Sequence, residues 1–403
     1  MLSEFLPLLS LILIGFPRLC RTRVPALGFN TWNAYQCNIN DDILRETAML
    51  MKSLGLQDAG YEYVNIDDCW LLAERDANGL LAVDTTKFPN GLLNLTTFLH
   101  DMGFKAGVLH YYIFSKLTLF KCAGFAGSLG FEQTDAQTFF DWGFDYIKID
   151  DCNSESFNGT NAERFQRWTN ALNMLHEKTG GMFAYSLVEW PSFDAWTWGP
   201  AIANSWRIYD DIQPNWQRIM EILNNASFIG NFTDFYAHND LDMLEIGNGD
   251  LTLAEQRSHF TAWALNKSPL LIGTNLSLIS NDSVEILKNR EVLAINQDQF
   301  VGTPLTPFFW GRNLDGTWDP EFPAQYWSGF FGANSQTAIM YINVNNNTED
   351  LGFQFSQSPH LKADATYSVR DLWAHEEKGL FTGSFSETGI ESHDVRAYLF
   401  KEQ

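Results

Sequence analysis

Five short stretches put carboxylates where a β-strand would run out: Asn65-Ile66-Asp67-Asp68, Lys148-Ile149-Asp150-Asp151, Val188-Glu189-Trp190, Tyr209-Asp210-Asp211 and Asp242-Met243. A strand alternates its side chains between two faces, so Tyr146, Lys148 and Asp150 share one face while Ile147 and Ile149 take the other. The same test groups Tyr63, Asn65 and Asp67, and it groups Ser205, Arg207, Tyr209 and Asp211. It selects Asp150 over Asp151 and Asp211 over Asp210. Trp32, Trp190, Lys148 and Arg207 stand at the same strand ends. Taken singly, such an Asp is commonly a helix cap or ion-pair partner and such a Trp is commonly core. Together they are many charges converging on one mouth, and burying unpaired charge is too costly for packing to explain the set. Two carboxylates with aromatic platforms suit sugar chemistry, in which one attacks the anomeric carbon and the other protonates the leaving oxygen. No metal is expected: the motifs contain no His, and His375-Glu376-Glu377 lacks the second His that a zinc motif needs.

The elements that would hold these residues alternate. Strand candidates are Leu27 to Trp32, Tyr61 to Asp67, Lys105 to His110, Tyr146 to Asp150, Phe183 to Glu189, Ser205 to Asp211, Met243 to Gly247 and Leu270 to Thr274. Between them run helical patterns such as Asp42 to Leu54, Asp135 to Trp142, Ala162 to Glu177, Asn215 to Leu223 and Ala254 to Leu265, several opened by capping residues. Only a short helix fits between the fifth and sixth strands. Eight βα units close a barrel whose chemistry sits at the C-terminal strand ends. After Asp298 the alternation gives way to β-rich runs, Gln336 to Asn343, Thr366 to Trp373 and Val395 to Phe400, separated by turn residues. The fold class expected is α/β, a (β/α)8 TIM barrel over 25–303 followed by a small antiparallel β-sandwich over 304–403.

The chain has 403 residues, 45% hydrophobic and 19% charged, which fits a globular protein of that size. With 26 Lys and Arg against 49 Asp and Glu, the formal charge of −23 argues against nucleic acid as a partner. Aromatics at 15% suffice both to fill a core and to line a site. The apolar run from Phe5 to Phe16 is too short to span a bilayer and fits a secretory leader over 1–24. Its flanking charges, Glu4 before and Arg18, Arg21 and Arg23 after, reverse the usual order and leave the cleavage point open. Cys20 falls in or beside the leader, and Cys37, Cys69, Cys122 and Cys152 allow three pairings. Eight N-glycosylation sequons, at Asn94, Asn158, Asn225, Asn231, Asn266, Asn275, Asn281 and Asn346, agree with a secreted, extracellular glycoprotein.

The stretches Leu27-Gly28-Phe29-Asn30-Thr31-Trp32-Asn33, Asn65-Ile66-Asp67-Asp68-Cys69-Trp70, Cys122-Ala123-Gly124, Lys148-Ile149-Asp150-Asp151-Cys152 and Asp242-Met243-Leu244-Glu245 together resemble the melibiase-type α-galactosidases, glycoside hydrolase family 27. The resemblance runs from about Pro25 to Phe400 and is nearest to fungal secreted members. It implies a retaining enzyme without cofactor that removes terminal α-D-galactosyl residues from oligosaccharides, galactomannans or glycolipids through a covalent galactosyl-enzyme. Asp150 would be the nucleophile and Asp211 the acid and base. Lys148 would hold sugar hydroxyls, Asp67 and Asp68 the outer ones that include the axial 4-hydroxyl, and Trp32 and Trp190 the apolar face. Arg207 and Glu189 would attend the 2-hydroxyl, and Asp242 and Met243 would close the rim. The implied disulfides join Cys37 to Cys69 and Cys122 to Cys152.

The sequence departs from the family pattern at Val188, Ile149, Asp151 and Asn275, and most of all at Leu109 to Lys121, where relatives carry a shorter loop. That segment reads equally as a lid, an altered subsite or a stretch absent from the working protein, and either Tyr111 or Tyr112 would supply the pocket tyrosine. Asp151 is expected to add charge beside Asp150. An α-N-acetylgalactosaminidase, suggested by the small Ser192, and a sugar-binding homologue with impaired catalysis are the alternatives. The partners expected are a galactose-containing oligosaccharide or polysaccharide, with no nucleic acid, no membrane span and a homo-oligomer allowed. An acidic pH optimum is expected.

Overall fold

Short strands, most of them buried along their length, alternate with helices, and the first eight strands line up in parallel. The computed structural model describes residues 22–112, 125–151, 159–189 and 194–403. All of the expected leader except residues 22–24, together with Cys122, Cys152, Trp190 and Ser192, lies outside these residues, as does most of Leu109 to Lys121.

The barrel strands are β1 (Leu27–Asn30), β2 (Tyr63–Ile66), β3 (Lys105–Tyr111), β4 (Tyr146–Asp150), β5 (Ala184–Val188), β6 (Ser205–Arg207), β7 (His238–Asp240) and β8 (Leu270–Ile272). They pair in chain order from β1 to β7, with β8 on the other side of β1. Closure between the ends comes from a single parallel bridge, Leu244 to Ile272, with the Leu244 N–H donating to Leu271 O at 2.8 Å. The expected strand Met243 to Gly247 is therefore corrected to that one bridge, and the seventh ladder lies earlier, at β7. Asp242 explains the break: its φ of +78° turns the backbone out of extended geometry just before the apolar run.

Around the sheet run α1 (Thr31–Tyr35), α2 (Asp41–Ser53), α3 (Leu56–Ala59), α4 (Leu92–Asp101), α5 (Glu132–Asp141), α6 (Asn161–Thr179), α7 (Ala195–Ile202), α8 (Trp216–Ile229), α9 (Leu253–Leu265), α10 (Asn281–Leu287) and α11 (Arg290–Asn296). The sequence sets their ends. Reciprocal capping boxes open α6 (Thr160 with Glu163) and α9 (Thr252 with Glu255), and Gly180 in the left-handed region closes α6. Inside the barrel, Ala26, Tyr63, Tyr146 and Ala184 form a floor of alternating large and small residues. Gly107 sits just above, where a Cβ would fall 2.0 Å from Asn65 Oδ1. Only glycine fits there.

Beyond α11 the chain enters β9 (Thr306–Phe309), β10 (Tyr326–Phe331), β11 (Gln336–Ile342), β12 (Glu349–Gln354), β13 (Thr366–Asp371), β14 (Glu376–Thr382), β15 (Ser384–Ile390) and β16 (Val395–Glu402). Six of these form one antiparallel sheet, and β12 with β15 forms the facing pair over Tyr341, Phe353, Phe355, Phe385 and Phe400. This is the expected barrel and sandwich. Helix α9 is buried on every face because the barrel covers one side and the sandwich the other. The two domains share one apolar core through Trp327, Met340 and Ala397, with Arg370 to Glu291 at 2.7 Å and Arg257 to Asp394 at 2.9 Å beside it.

Candidate active site

At the C-terminal ends of the strands lies a cavity of about 230 Å³ whose wall includes Trp32, Asp67, Asp68, Lys148, Asp150, Arg207, Asp211, Asp242 and Met243. These are nine of the eleven residues that the sequence nominated for catalysis and substrate contact. Each reaches the cavity by an identifiable route.

Strand β1 stops at Asn30, earlier than expected, because Asn30 caps α1: its Oδ1 accepts from Trp32 N at 2.9 Å. Trp32 is therefore the second residue of a helix rather than a strand end. The same Asn30 donates through Nδ2 to Asp67 Oδ2 at 2.8 Å, and Thr31 Oγ1 accepts from Asp67 N at 2.9 Å. One cap thus fixes both the aromatic wall and the first carboxylate. Lys148 Nζ donates to Asp67 Oδ2 at 3.1 Å. Burial alone would lower the Lys148 ammonium, but the charges of Asp67, Asp242 and Asp150 outweigh it and hold the group above its ordinary value. Lys148 is fixed as a cation.

Asp68 accepts from Cys69 N at 2.6 Å, and Cys69 is bonded to Cys37. The staple joins the end of β2 to the segment after α1, as the family pattern implied for this pair. Burial pushes the Asp68 carboxyl up to about 6, despite hydrogen bonds from Tyr111 and Cys69 that favour its ionised form. Tyr111 lines the cavity beside Leu109. Burial, then the charge of Asp68, raises the Tyr111 phenol, which keeps it a donor. Tyr112 instead donates to Glu132 Oε1 at 3.2 Å on the helix side of β3. Strand parity separates the two: Gly107 and Tyr111 share a face with the floor, and Tyr112 does not. Sequence reasoning left both tyrosines open although this signal was present.

Strand β6 ends at Arg207, so Asp211 lies beyond it, on the turn that follows. The expected strand to Asp211 is too long by four residues, and parity past Arg207 has no structural basis. Asp211 enters the cavity by the turn. Arg207 Nη2 lies 2.9 Å from Asp211 Oδ1 and 2.9 Å from Asp242 Oδ2, joining the two carboxylates. Partial desolvation pushes Asp211 up, but the Arg207 charge and hydrogen bond, with Lys148 and Arg218 behind them, leave its carboxyl below the usual range. Asp242 also accepts from Ile212 N at 2.8 Å, which ties the Asp211 turn to the segment after β7. Asp240 lies buried beneath, accepting from Asp242 N at 2.8 Å, and burial raises its carboxyl.

Glu189 stands elsewhere. With Tyr185 and Leu187 it follows the outward parity of β5; it is 0% exposed, accepts from Asn161 Nδ2 at 2.8 Å and lies 3.5 Å from Arg164 Nη2. It is absent from the described cavity wall and sits as a buried ion-pair partner of Arg164. Asp151 joins the same group, accepting from Arg164, and so points its charge away from the cavity. Val188, buried at the end of β5, stands opposite Asp150 in the ladder. The rim beyond Asp242 is held by Glu245, which accepts from Asn33 and Asn248. Burial pushes Glu245 up to about 7 in spite of both bonds. Neither Glu245 nor Asn33 was nominated, although both lie in the motifs that carried the resemblance.

Residues 24–298 match the family model described as α-galactosidase A, and residues 321–400 match the α-galactosidase C-terminal β-sandwich domain. Curated relatives named probable α-galactosidase B include one from Aspergillus clavatus, 39% identical over 94% of this chain and 92% of its own. Another, from Neosartorya fischeri, is 40% identical over 94% and 92%. Among solved structures, α-galactosidase I from Mortierella vinacea superposes with a TM-score of 0.85 at 33% identity, covering 95% of this chain and 98% of its own. The α-galactosidase of Saccharomyces cerevisiae, solved also with raffinose, gives 0.82 at 27% over 96% and 99%. A β-L-arabinopyranosidase from Geobacillus stearothermophilus shares the fold at 19% identity. The carboxylates gathered at this barrel mouth and the match over both domains converge: the chain belongs to the melibiase-type α-galactosidase family, glycoside hydrolase family 27.

Proposed function

We propose that this glycoside hydrolase is a secreted α-galactosidase that releases terminal α-linked galactose with retention of configuration. The observation that carries the reading is the single cavity lined by Asp150, Asp211, the Asp67, Asp68 and Lys148 cluster, and Trp32. Asp150, with Lys148 two residues earlier on the same strand face, attacks the anomeric carbon as a carboxylate and forms a galactosyl ester. Asp211 gives its proton to the departing oxygen, then takes a proton from the water that opens the ester. Arg207 sits on the 2-hydroxyl side and holds Asp211 in place. Asp67, Asp68 and Lys148 take the 3-, 4- and 6-hydroxyls, where an axial 4-hydroxyl distinguishes galactose. Tyr111 orients Asp68, Trp32 covers the apolar face, and Met243 closes the rim.

An acidic working range follows from the same contacts. Arg207 holds Asp211 low, so this carboxyl carries the proton that the first step needs only when the medium is acidic. Secretion is supported by the apolar leader and the sequons, and raffinose-type α-galactosides or galactomannan side chains are the proposed substrates. The rival acetamido specificity rested on Ser192, outside the described residues. The test compares p-nitrophenyl α-D-galactoside with its 2-acetamido analogue and follows the released anomer by NMR. Faster release of galactose as the α-anomer is the expected result. Faster turnover of the acetamido sugar, or first appearance of the β-anomer, would overturn the reading.

A further inference from the structure

A second and larger cleft, about 590 Å³, lies between barrel and sandwich, within the ~300–1,000 Å³ that small-molecule sites occupy. Trp216, the first residue of α8, forms its barrel side, and Asn345, Asn346 and His393 form its sandwich side. The Trp216 ring stacks on the His393 imidazole with centroids 4.2 Å apart and planes 10° from parallel. Asn345 is 7% exposed, and its Nδ2 has no hydrogen-bond partner among the described residues. Trp216, covered on one side by His393, lines the cleft with an aromatic surface of the kind on which a sugar ring packs.

The occupant can come from this chain, because Asn346-Asn347-Thr348 is an N-glycosylation sequon in the exposed turn between β11 and β12. Asn346 Oδ1 lies 2.9 Å from His393 Nε2 and, as a carboxamide oxygen, accepts there. That contact fixes the side chain through its oxygen and leaves Nδ2, the atom that carries a glycan, without a hydrogen bond among the described residues. Asn94 and Asn275 also accept through Oδ1, from Arg45 and from Tyr35 and Ser277, but neither lines the cleft. Asn225 Nδ2 donates to Ile208 O at 2.9 Å, and Asn266, 3% exposed, donates through Nδ2 to Ala262 O at 2.8 Å. A glycan on either would cost a buried bond and the packing around it. Asn231 and Asn281 are exposed but do not line the cleft, and Asn158 is outside the described residues.

We propose that Asn346 carries an N-linked glycan whose first two N-acetylglucosamines lie in the barrel–sandwich cleft, against Trp216, and clamp the two domains. The proposal rests on the secretory reading above. In the attachment step, the bond from the sugar C1 to a lipid-linked diphosphate breaks and a bond from C1 to Asn346 Nδ2 forms. The amide proton leaves, and the lipid diphosphate departs as the leaving group. Attachment precedes or accompanies folding, so the folded state tolerates glycans only at sequons where it can house them.

The test secretes the wild type, Thr348→Ala and Trp216→Ala from a yeast that adds high-mannose glycans. Glycopeptide mass spectrometry reads occupancy, and native endoglycosidase digestion reads accessibility. Occupied Asn346, with sugar released about tenfold or more slowly than that on Asn231 or Asn281, is expected, because release waits on the glycan leaving its cleft. Trp216→Ala should abolish the difference. Thr348→Ala, which keeps Asn346 and its contact with His393, should lower the thermal midpoint of the secreted protein. A bare Asn346 beside occupied Asn231 and Asn281 would overturn this proposal alone, as would equal release rates that Trp216→Ala leaves unchanged. A chain that yeast retains inside the cell with every sequon bare would overturn the secretory reading together with it.

Discussion

Two charged clusters stand on opposite sides of the same barrel wall. Inside, Lys148 and Arg207 share a cavity with Asp67, Asp68, Asp150, Asp211 and Asp242; outside, Arg164 holds Asp151 and Glu189 behind β4 and β5. Both join carboxylates to a guanidinium or ammonium, and both are largely buried. What separates them is aperture and balance. The inner cluster opens into a cavity and has more carboxylates than cations, so oxygen lone pairs remain for a ligand. The outer cluster is sealed between strand and helix, with Arg164 2% and Glu189 0% exposed. None of its charges is part of the described cavity wall, and Arg164 ties α6 to the ends of β4 and β5. Residue type alone does not tell a reactive carboxylate from a structural one; Asp150 and Asp151 are neighbours in the chain and belong to different clusters.

That contrast breaks first at Asp150. Replacing it with Asn should lower kcat on aryl α-galactosides by about 10³-fold or more, with the thermal midpoint close to wild type. A stability loss with rate retained would move Asp150 into the structural class. Asp211→Asn should cost about 10²–10⁴-fold on raffinose, whose leaving oxygen needs a proton, and much less on aryl galactosides with good leaving groups. Equal losses on both substrates would remove the acid role. For the outer cluster the prediction is reversed: Arg164→Met leaves two buried carboxylates short of a cation and should cost about 3–5 kcal/mol in urea unfolding. KM for the galactoside should stay within about twofold. A large KM change there would show that the wall transmits what this comparison treats as separate.

The smallest effect concerns protonation. Burial lifts Asp68 to about 6 in the folded protein, while an unfolded Asp titrates near 4, so between those values the folded state binds the extra proton. Stability should therefore fall as pH rises through that window. Asp68→Asn should remove on the order of 2 kcal/mol of that dependence, read as a smaller drop in urea midpoint between pH 4.5 and 7. An unchanged drop would place the pH dependence elsewhere, with Glu245 the next group to replace.

The alternation of elements made the barrel and sandwich readable, because apolar period and capping residues are local signals. Parity succeeded on β4, where the strand is as long as the sequence pattern and Lys148 and Asp150 both turn inward. It failed on β6, where only three residues are extended and a turn carries Asp211 into the cavity. Applied to β5, parity would have turned Glu189 outward, but the strand-end position was weighed without it. The seventh strand was misplaced because His238-Asn239-Asp240 has no apolar signature, while the apolar Met243 to Ile246 run follows a left-handed Asp242. The Arg164 cluster was invisible for a different reason: it joins α6 to two strands, and no local pattern announces a contact between elements.

The most direct test of the inner cluster's role is covalent trapping with a 2-deoxy-2-fluoro galactosyl donor bearing a good leaving group, followed by peptide mass mapping. The account predicts one fluorogalactosyl adduct per chain, on the peptide containing Asp150, released on adding an acceptor sugar. An adduct on Asp211 or on the Asp151 side chain, or steady turnover of the donor with no adduct at any carboxylate, would contradict it.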